Sequence, residues 1–232
     1  LSVAENVEHV QQRIRDACRR AGRSAEDVRL IAVSKTQPAE AIRQAYAAGL
    51  REFGENRVQE AAAKRKELEG MDAVWHLIGH LQSNKAKQAV GLFHSIHSVD
   101  SLPLAERIDR AAAALGRRVP ILIEVHLGDE ASKFGVEEDD LAQLAERIGA
   151  LPSVELRGLM TLPPFFDDPQ QVRPFFRRLR ERAGRIEARN LPGVSMRELS
   201  MGMSHDFEIA IEEGATIVRV GTAIFGERER NP

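Results

Sequence analysis

Residues 29–56 read Arg29-Leu-Ile-Ala-Val-Ser-Lys35, Thr36-Gln-Pro-Ala-Glu-Ala-Ile-Arg-Gln-Ala-Tyr-Ala-Ala-Gly49 and Leu50-Arg-Glu-Phe-Gly-Glu-Asn56. The first seven residues are a strand-like apolar run. Pro38 opens a helix and Gly49 closes it, because the fixed φ of proline suits a first helical turn and glycine suits a helix end. Glu52–Asn56 is a second strand-like run. The same unit recurs outward from here. Glu52–Asn56 leads into the helix 58–68, Val74–Gly79 into a helix near 84–90, and Phe93–Val99 into the helix 102–115. Val119–Val125 precedes the helix 139–150, and Val154–Met160 precedes the helix 169–188. Glu198–Met201 precedes 207–213, and Thr216–Gly221 finishes near the C-terminus. Strict alternation at a spacing of roughly 20–30 residues means parallel strands joined by crossover helices. Eight such units predict an α/β fold, a (β/α)8 TIM barrel over about 29–226, in one domain spanning 1–232. An open doubly wound sheet also alternates, but it would carry a Gly-rich phosphate turn after the first strand. A further helix over about 2–21 precedes the barrel, with Val3, Val7, Val10, Ile14 and Cys18 on one face and Gly22 as its stop.

Composition narrows the class. The chain has 232 residues, 33 Lys+Arg against 35 Asp+Glu, and a formal charge of -2. A balance so near zero argues against a nucleic-acid protein that works by neutralising phosphates. The single cysteine, Cys18, excludes an internal disulfide framework and suits a reducing cytosol. No apolar run approaches the ~18–20 residues of a membrane span, and the charged N-terminal stretch is unlike a signal peptide. A cytoplasmic protein without nucleic-acid or membrane partners is expected.

Barrels of this type keep their chemistry at the C-terminal ends of the strands. Of six lysines, Lys64 and Lys66 fall within a helix and Lys85 and Lys87 in or just before one, which reads as solvated surface charge. Lys133 falls in the loop after the fifth strand. Lys35 ends an apolar strand and shares parity with Ile31 and Val33, so it should point into the barrel top. A lysine desolvated there is a carbonyl nucleophile suited to Schiff-base chemistry. Equally, it could pair with a carboxylate such as Glu55 or Glu124. Near the last two strands lie Ser200-Met-Gly-Met-Ser204 and Arg219-Val-Gly-Thr222, where barrels often bind phosphate. Glycine admits a close approach, Ser204 and Thr222 offer hydroxyls, and a short helix from Ala223 would add free N–H groups. Arg219 interrupts an apolar strand and needs an acceptor, either a barrel carboxylate or a ligand. A Schiff-base lysine, a phosphate cradle and an arginine for a ring nitrogen together describe pyridoxal 5′-phosphate (PLP).

Longer segments carry a resemblance. Ala32-Val-Ser-Lys35, Phe53-Gly-Glu-Asn-Arg-Val-Gln-Glu60, Trp75-His-Leu-Ile-Gly-His-Leu-Gln-Ser-Asn-Lys85 and His97-Ser-Val-Asp100 are followed in order by Ser132-Lys-Phe-Gly135, Gly158-Leu-Met160, Leu199-Ser-Met-Gly-Met-Ser204 and Val218-Arg-Val-Gly-Thr-Ala-Ile-Phe-Gly226. In these the chain resembles the pyridoxal phosphate homeostasis protein family, whose barrel is similar to the N-terminal domain of alanine racemase. The resemblance implies that Lys35 holds PLP as a Schiff base and that Ser204, Gly221 and Thr222 hold its phosphate. It further implies that Arg219 faces the pyridine nitrogen and that Asn56 and Met201 lie beside the ring. The family is described as binding PLP and influencing its supply, without established turnover.

The residues suggest why such a site would be quiet. Arginine has only donors, so it favours an unprotonated ring nitrogen and a weaker electron sink. The one tyrosine, Tyr46, sits mid-helix after the first strand, and a racemase-type second base and the domain that carries it are not evident. A non-catalytic carrier, monomer or weak homodimer, that hands PLP to apo PLP-dependent enzymes is therefore expected. A slow PLP-dependent amino-acid racemase and a cofactor-free Schiff-base aldolase are the alternatives, and Lys133 is a candidate second holding point. His76, His80, His94 and His97 read as structural or hydrogen-bonding residues rather than a metal set, since four strand residues span ~13 Å. Trp75, Phe165-Phe166 and Phe175-Phe176 read as packing, and the arginines of 173–189 as a solvated helix face.

Overall fold

The repeated units close a ring. The computed structural model describes residues 1–128 and 134–227. In it eight parallel strands pair in chain order, and the last returns to the first. They are β1 (Arg29–Val33), β2 (Glu52–Glu55), β3 (Val74–Leu77), β4 (Ser95–Val99), β5 (Val119–Glu124), β6 (Val154–Met160), β7 (Val194–Ser200) and β8 (Ile217–Val220). The crossover helices are α2 (Ala39–Ala47), α3 (Val58–Glu67), α4 (Ala86–Leu92), α5 (Leu102–Ala114), α6 (Leu141–Gly149), α7 (Arg173–Glu187) and α8 (Phe207–Glu212), with a single turn α9 (Thr222–Phe225) after β8. Closure is direct: Arg29, Leu30, Ile31 and Ala32 register against Ile217, Val218, Arg219 and Val220.

Side-chain alternation gives the ring two faces. Ile31, Leu122, Met160 and Ile217 form a small apolar cluster of their own, the filling of the barrel lumen. Residues of the other parity, among them Ala32, Phe53, Ile121 and Val218, join the main core between sheet and helices.

The additional helix α1 (Val3–Arg20) starts with a capping box, in which the Glu5 N–H donates to Ser2 Oγ and the Ser2 N–H to the Glu5 carboxylate. It buries Val7, Val10, Ile14, Ala17 and Cys18 against α2, α8 and α9. Each large side chain so buried contributes about 1.5–3 kcal/mol. Arg13 fixes the docking through two hydrogen bonds to Glu208, at 2.6 and 2.9 Å, and Asn6 donates to the Ile224 carbonyl.

Several boundaries differ from the sequence reading. β1 stops at Val33, so Lys35 sits in the turn beyond it and not at the strand's last position. β2 ends one residue before Asn56, and β3 at Leu77 rather than Gly79. β7 begins at Val194, four residues before Glu198, and ends at Ser200, before Met201. Its first half carries an exposed Arg197 and half-buried Ser195, which hides the strand from an apolar pattern. Phe176 is fully buried and Phe166 meets Phe175 at 5.7 Å, but Phe165 is 73% exposed in the loop after β6 and meets His205 at 5.2 Å rather than joining the core. The arginine face of α7 is engaged as well as solvated: Arg173, Arg177 and Arg180 converge on Glu213, which they shield almost completely. No helix among the described residues is long and apolar enough to cross a membrane.

Candidate functional site

Three features meet at the C-terminal end of the barrel. The first is the turn that carries Lys35, which is half-buried. Its neighbours on both sides are pinned by one buried ion cluster. Lys64 of α3 donates to the Ser34 carbonyl (2.6 Å), to Glu55 (2.8 Å) and to Glu60 (2.7 Å), spending all three of its ammonium protons. The Ser34 hydroxyl donates to Glu55 at 2.6 Å, and the Thr36 N–H donates to Glu60 at 2.5 Å. Thr36 holds a left-handed φ of 64°, which a β-branched residue adopts only when its surroundings impose it. Lys64 is therefore buried and paired rather than a surface charge, because the helix face that carries it turns toward the end of β2. Lys66 is exposed, as expected. Burial raises the Glu55 carboxyl despite its bonds from Lys64 and Ser34, and one of its oxygens is buried without a partner. Glu60 is also pushed up by desolvation, but the Lys64 and Thr36 hydrogen bonds outweigh that and hold it low.

Arg219 is the second feature. It lies on β8 with the parity of Ile217, 2% exposed, and so faces the lumen. It donates to Ser200 Oγ at 2.6 Å and to the Thr161 carbonyl at 2.8 Å. Two of its five N–H groups are thus used by described residues. It makes no ion pair with a described carboxylate. Desolvation pulls it down to about 10, with Glu124 and Asp206 acting in the opposite sense, so it remains a cation at neutral pH.

The third feature is the loop after β7. Ser204 Oγ accepts from the Gly221 and Ala223 N–H groups, both at 3.2 Å, so a hydroxyl and the first free amides of α9 converge on one point. Thr222 is exposed beside them. Gly202 makes the loop possible: its φ is +94°, and a Cβ there would meet Ala210 at 2.6 Å and Phe207 at 2.9 Å. Asp206 closes the loop by accepting from the Met203 N–H. Hydroxyl and amide donors are a set that suits a phosphate.

The remaining expected residues fall nearby. Asn56 follows β2, half-buried, and its backbone lies against Gly79, where an added Cβ would come within 2.6 Å of the Asn56 carbonyl. Met201 is fully buried within the main core, so its side chain belongs to the packing behind the loop. Lys133 lies outside the described residues, as does Ser132 of the same segment. His76 and His97 are hydrogen-bonded inside the barrel. His80 stacks on Phe134 at 3.6 Å and lies 3.6 Å from Asp100. Among the described residues no group of His, Cys, Asp and Glu is arranged as for a metal.

Lys64 was not singled out for the site by sequence, although its i,i+4 spacing from Glu60 was a usable signal. Glu124, at the end of β5, was named only as a possible partner of Lys35. Burial raises it to about 7, Asp100 adds to the rise and Arg219 opposes it. The folded protein thus binds more protons than the unfolded chain between the usual carboxylate range and pH 7. Stability contributed by this site falls as pH rises through that window, by about 3 kcal/mol in all. Glu124→Gln is expected to abolish this fall, so the unloaded variant unfolds at higher urea than the wild type at pH 8 and not at pH 4.5. Parallel urea curves with the same pH slope for both proteins would refute that assignment.

Comparison with known proteins identifies the family. The family described as alanine racemase, N-terminal domain, matches residues 6–229. A pyridoxal phosphate homeostasis protein of Aquifex aeolicus is 48% identical over 229 residues, covering 99% of this chain and 100% of the relative. The one from Pseudomonas aeruginosa is 44% identical, covering 98% and 96%. The chain belongs to the pyridoxal phosphate homeostasis protein family. A solved structure with this family's fold is PipY of Synechococcus elongatus with PLP bound, 43% identical, with a TM-score of 0.86 over 97% of this chain and 100% of that one. Alanine racemase of Clostridium difficile shares the barrel at 14% identity and a TM-score of 0.71, over 98% of this chain and 58% of that one, a likeness of fold alone. Within the homeostasis family the identity runs end to end, so the Lys35 turn, Arg219 and the Ser204 loop are all inside the matched region.

Proposed function

We propose that this chain binds pyridoxal 5′-phosphate at the barrel mouth and serves intracellular PLP homeostasis, holding the cofactor as a Lys35 Schiff base and releasing it to apo PLP-dependent enzymes. The observation that carries the reading is Arg219. It is a buried guanidinium, anchored at two points by Ser200 and Thr161 and in no ion pair with a described carboxylate, at the mouth where the Lys35 turn also lies. A pyridine nitrogen is a suitable acceptor for its remaining protons. Ser204, Gly221 and Thr222 would hold the phosphate and Asn56 would flank the ring, with Met201 supporting the loop from behind. PipY, the relative solved with PLP bound, supports the same reading.

PLP supplies an electron sink to chemistry at an attached amine, strongest when its nitrogen is protonated. A guanidinium that stays charged at neutral pH would donate to that nitrogen and could not accept an N–H from it, so the nitrogen would stay unprotonated and the sink weak. A tyrosine acid is also absent from the mouth: Tyr46 lies on α2 under the Arg51 guanidinium, 3.9 Å away, where the chain enters β2 at the opposite end of the barrel. Both features support binding without turnover. Cytoplasmic work fits the one cysteine, Cys18, unpaired and on the buried face of α1.

The test is a PLP titration of the purified chain, followed by borohydride reduction and peptide mapping. A visible band that borohydride removes, with the fixed mass on the Lys35 peptide, supports the reading. A protein that stays colourless with PLP in excess overturns it.

A further inference from the structure

We infer that the barrel lumen contains a one-way hydrogen-bond chain, Arg219–Ser200–His97–Ser95–His76–Glu52, which sets the proton positions on both histidines and makes Ser200 and His97 positioning residues for the guanidinium that meets PLP. The inference rests on the PLP reading for its second half only. The links measure 2.6 Å (Arg219 to Ser200), 3.0 Å (Ser200 to His97), 3.0 Å (His97 to Ser95), 2.6 Å (Ser95 to His76) and 2.6 Å (His76 to Glu52). His97 is on β4 and Ser200 on β7, strands that are not neighbours, so this contact crosses the lumen. Five of the six residues are buried; Glu52, with its side chain 25% exposed, is the end open to water.

The ends leave one consistent arrangement of protons. Arginine has no acceptor, so Ser200 Oγ accepts from Arg219 and turns its own hydrogen to His97 Nδ1. His97 Nδ1 is then bare, and its proton is on Nε2, donated to Ser95. Ser95 donates in turn to His76 Nδ1, and His76 donates from Nε2 to Glu52. Starting from the carboxylate, which can only accept, the order comes out the same. A charged His76 would point two donors at Ser95 and leave its buried hydroxyl hydrogen without a described acceptor, at a cost of about 1–3 kcal/mol. Charging His97 would strand the Ser200 hydrogen likewise. Burial first, then the neighbouring His76 and Arg219, holds His97 well below the ordinary histidine range. With Ser200 on one side and the Thr161 carbonyl on the other, the plane of the Arg219 guanidinium is set, and its remaining N–H groups keep one direction.

The chain without PLP, labelled with 15N-histidine, tests the proton order. Two-bond proton–nitrogen spectra at pH 7.5 are expected to show both His76 and His97 neutral with the proton on Nε2. A His97 protonated on Nδ1, or on both nitrogens, overturns the chain. With PLP loaded, Ser200→Ala is expected to shift the visible band and to speed cofactor loss about 3- to 10-fold. Ser200→Thr, which restores the hydroxyl, is expected to return both toward wild type. If Ser200→Ala lowers the unfolding midpoint but leaves band and release rate unchanged, the positioning role is refuted. Should the wild-type chain take up no PLP at all, the functional reading and the positioning role fall together, while the histidine spectra still decide the proton order.

Discussion

Lys35→Ala should abolish the borohydride-fixed adduct and weaken PLP retention roughly 100-fold or more, about 2.7 kcal/mol. The reason is that only an amine can make the covalent link to the cofactor's aldehyde carbon, whereas the proposed phosphate and ring contacts are separate and are expected to survive the substitution. Ser204, with the Gly221 and Ala223 amides, stays in place because its bonds are made within the β7 and β8 loops. The variant is therefore expected to bind PLP weakly and reversibly, without the visible band. Lys35→Arg provides the sharper control. It keeps the charge but not the nucleophile, since a guanidinium stays protonated at any accessible pH. Equal loss in both variants assigns the effect to the covalent link; a Lys35→Arg protein that retains PLP like wild type would show that charge alone holds it. Binding isotherms with far-UV spectra to check folding provide the readout.

Lys64→Met is expected to destabilise the unloaded protein by about 3–5 kcal/mol, the usual cost of removing one partner from a buried ion pair. For a chain of this size that is a fall in unfolding temperature of roughly 6–20 °C. Glu55 has no exposed surface and already has one oxygen without a partner, so without Lys64 it would keep only the Ser34 hydroxyl. The Ser34 carbonyl and Glu60 lose a donor at the same time. Pairing Lys64→Met with Glu55→Gln should recover a substantial part of the loss, because the orphaned carboxylate is then neutral. A cost under about 1 kcal/mol for Lys64→Met would mean that the cluster behaves as an exposed pair. The same substitution loosens both anchors of the Lys35 turn, so slower adduct formation is expected to accompany the lower stability.

The fold was legible because its signal is local and repeated. An apolar run of four to seven residues followed by an amphipathic helix is written into nearest-neighbour chemistry, and eight repeats leave little choice of topology. Lys35, Arg219 and Ser204 were picked out on local grounds: Arg219 interrupts an apolar strand and needs a partner, Lys35 follows one by two residues, and Ser204 lies in the glycine-bearing loop after β7. Strand ends were less so. β1 stops at Val33 because the turn geometry at Thr36 takes over, and β7 starts early because polar residues can pair their backbones as well as apolar ones.

Other roles depend on residues far apart in the chain. By itself the sequence determined the alternation, the closed parallel ring it implies and the extra N-terminal helix, and it named a short set of residues at or beyond the strand ends as the candidate site. Tertiary structure alone decided that Lys64, on a helix, would be buried against Glu55 and the Ser34 carbonyl, since that depends on which face of α3 turns inward. It also decided that Glu124 would sit near Asp100 and Arg219 with its proton retained to about pH 7. The same holds for His97, which meets Ser200 more than a hundred positions later. A residue's type specifies what bonds it can make, but burial and distance determine which of them it makes, and both arise only when the ring closes.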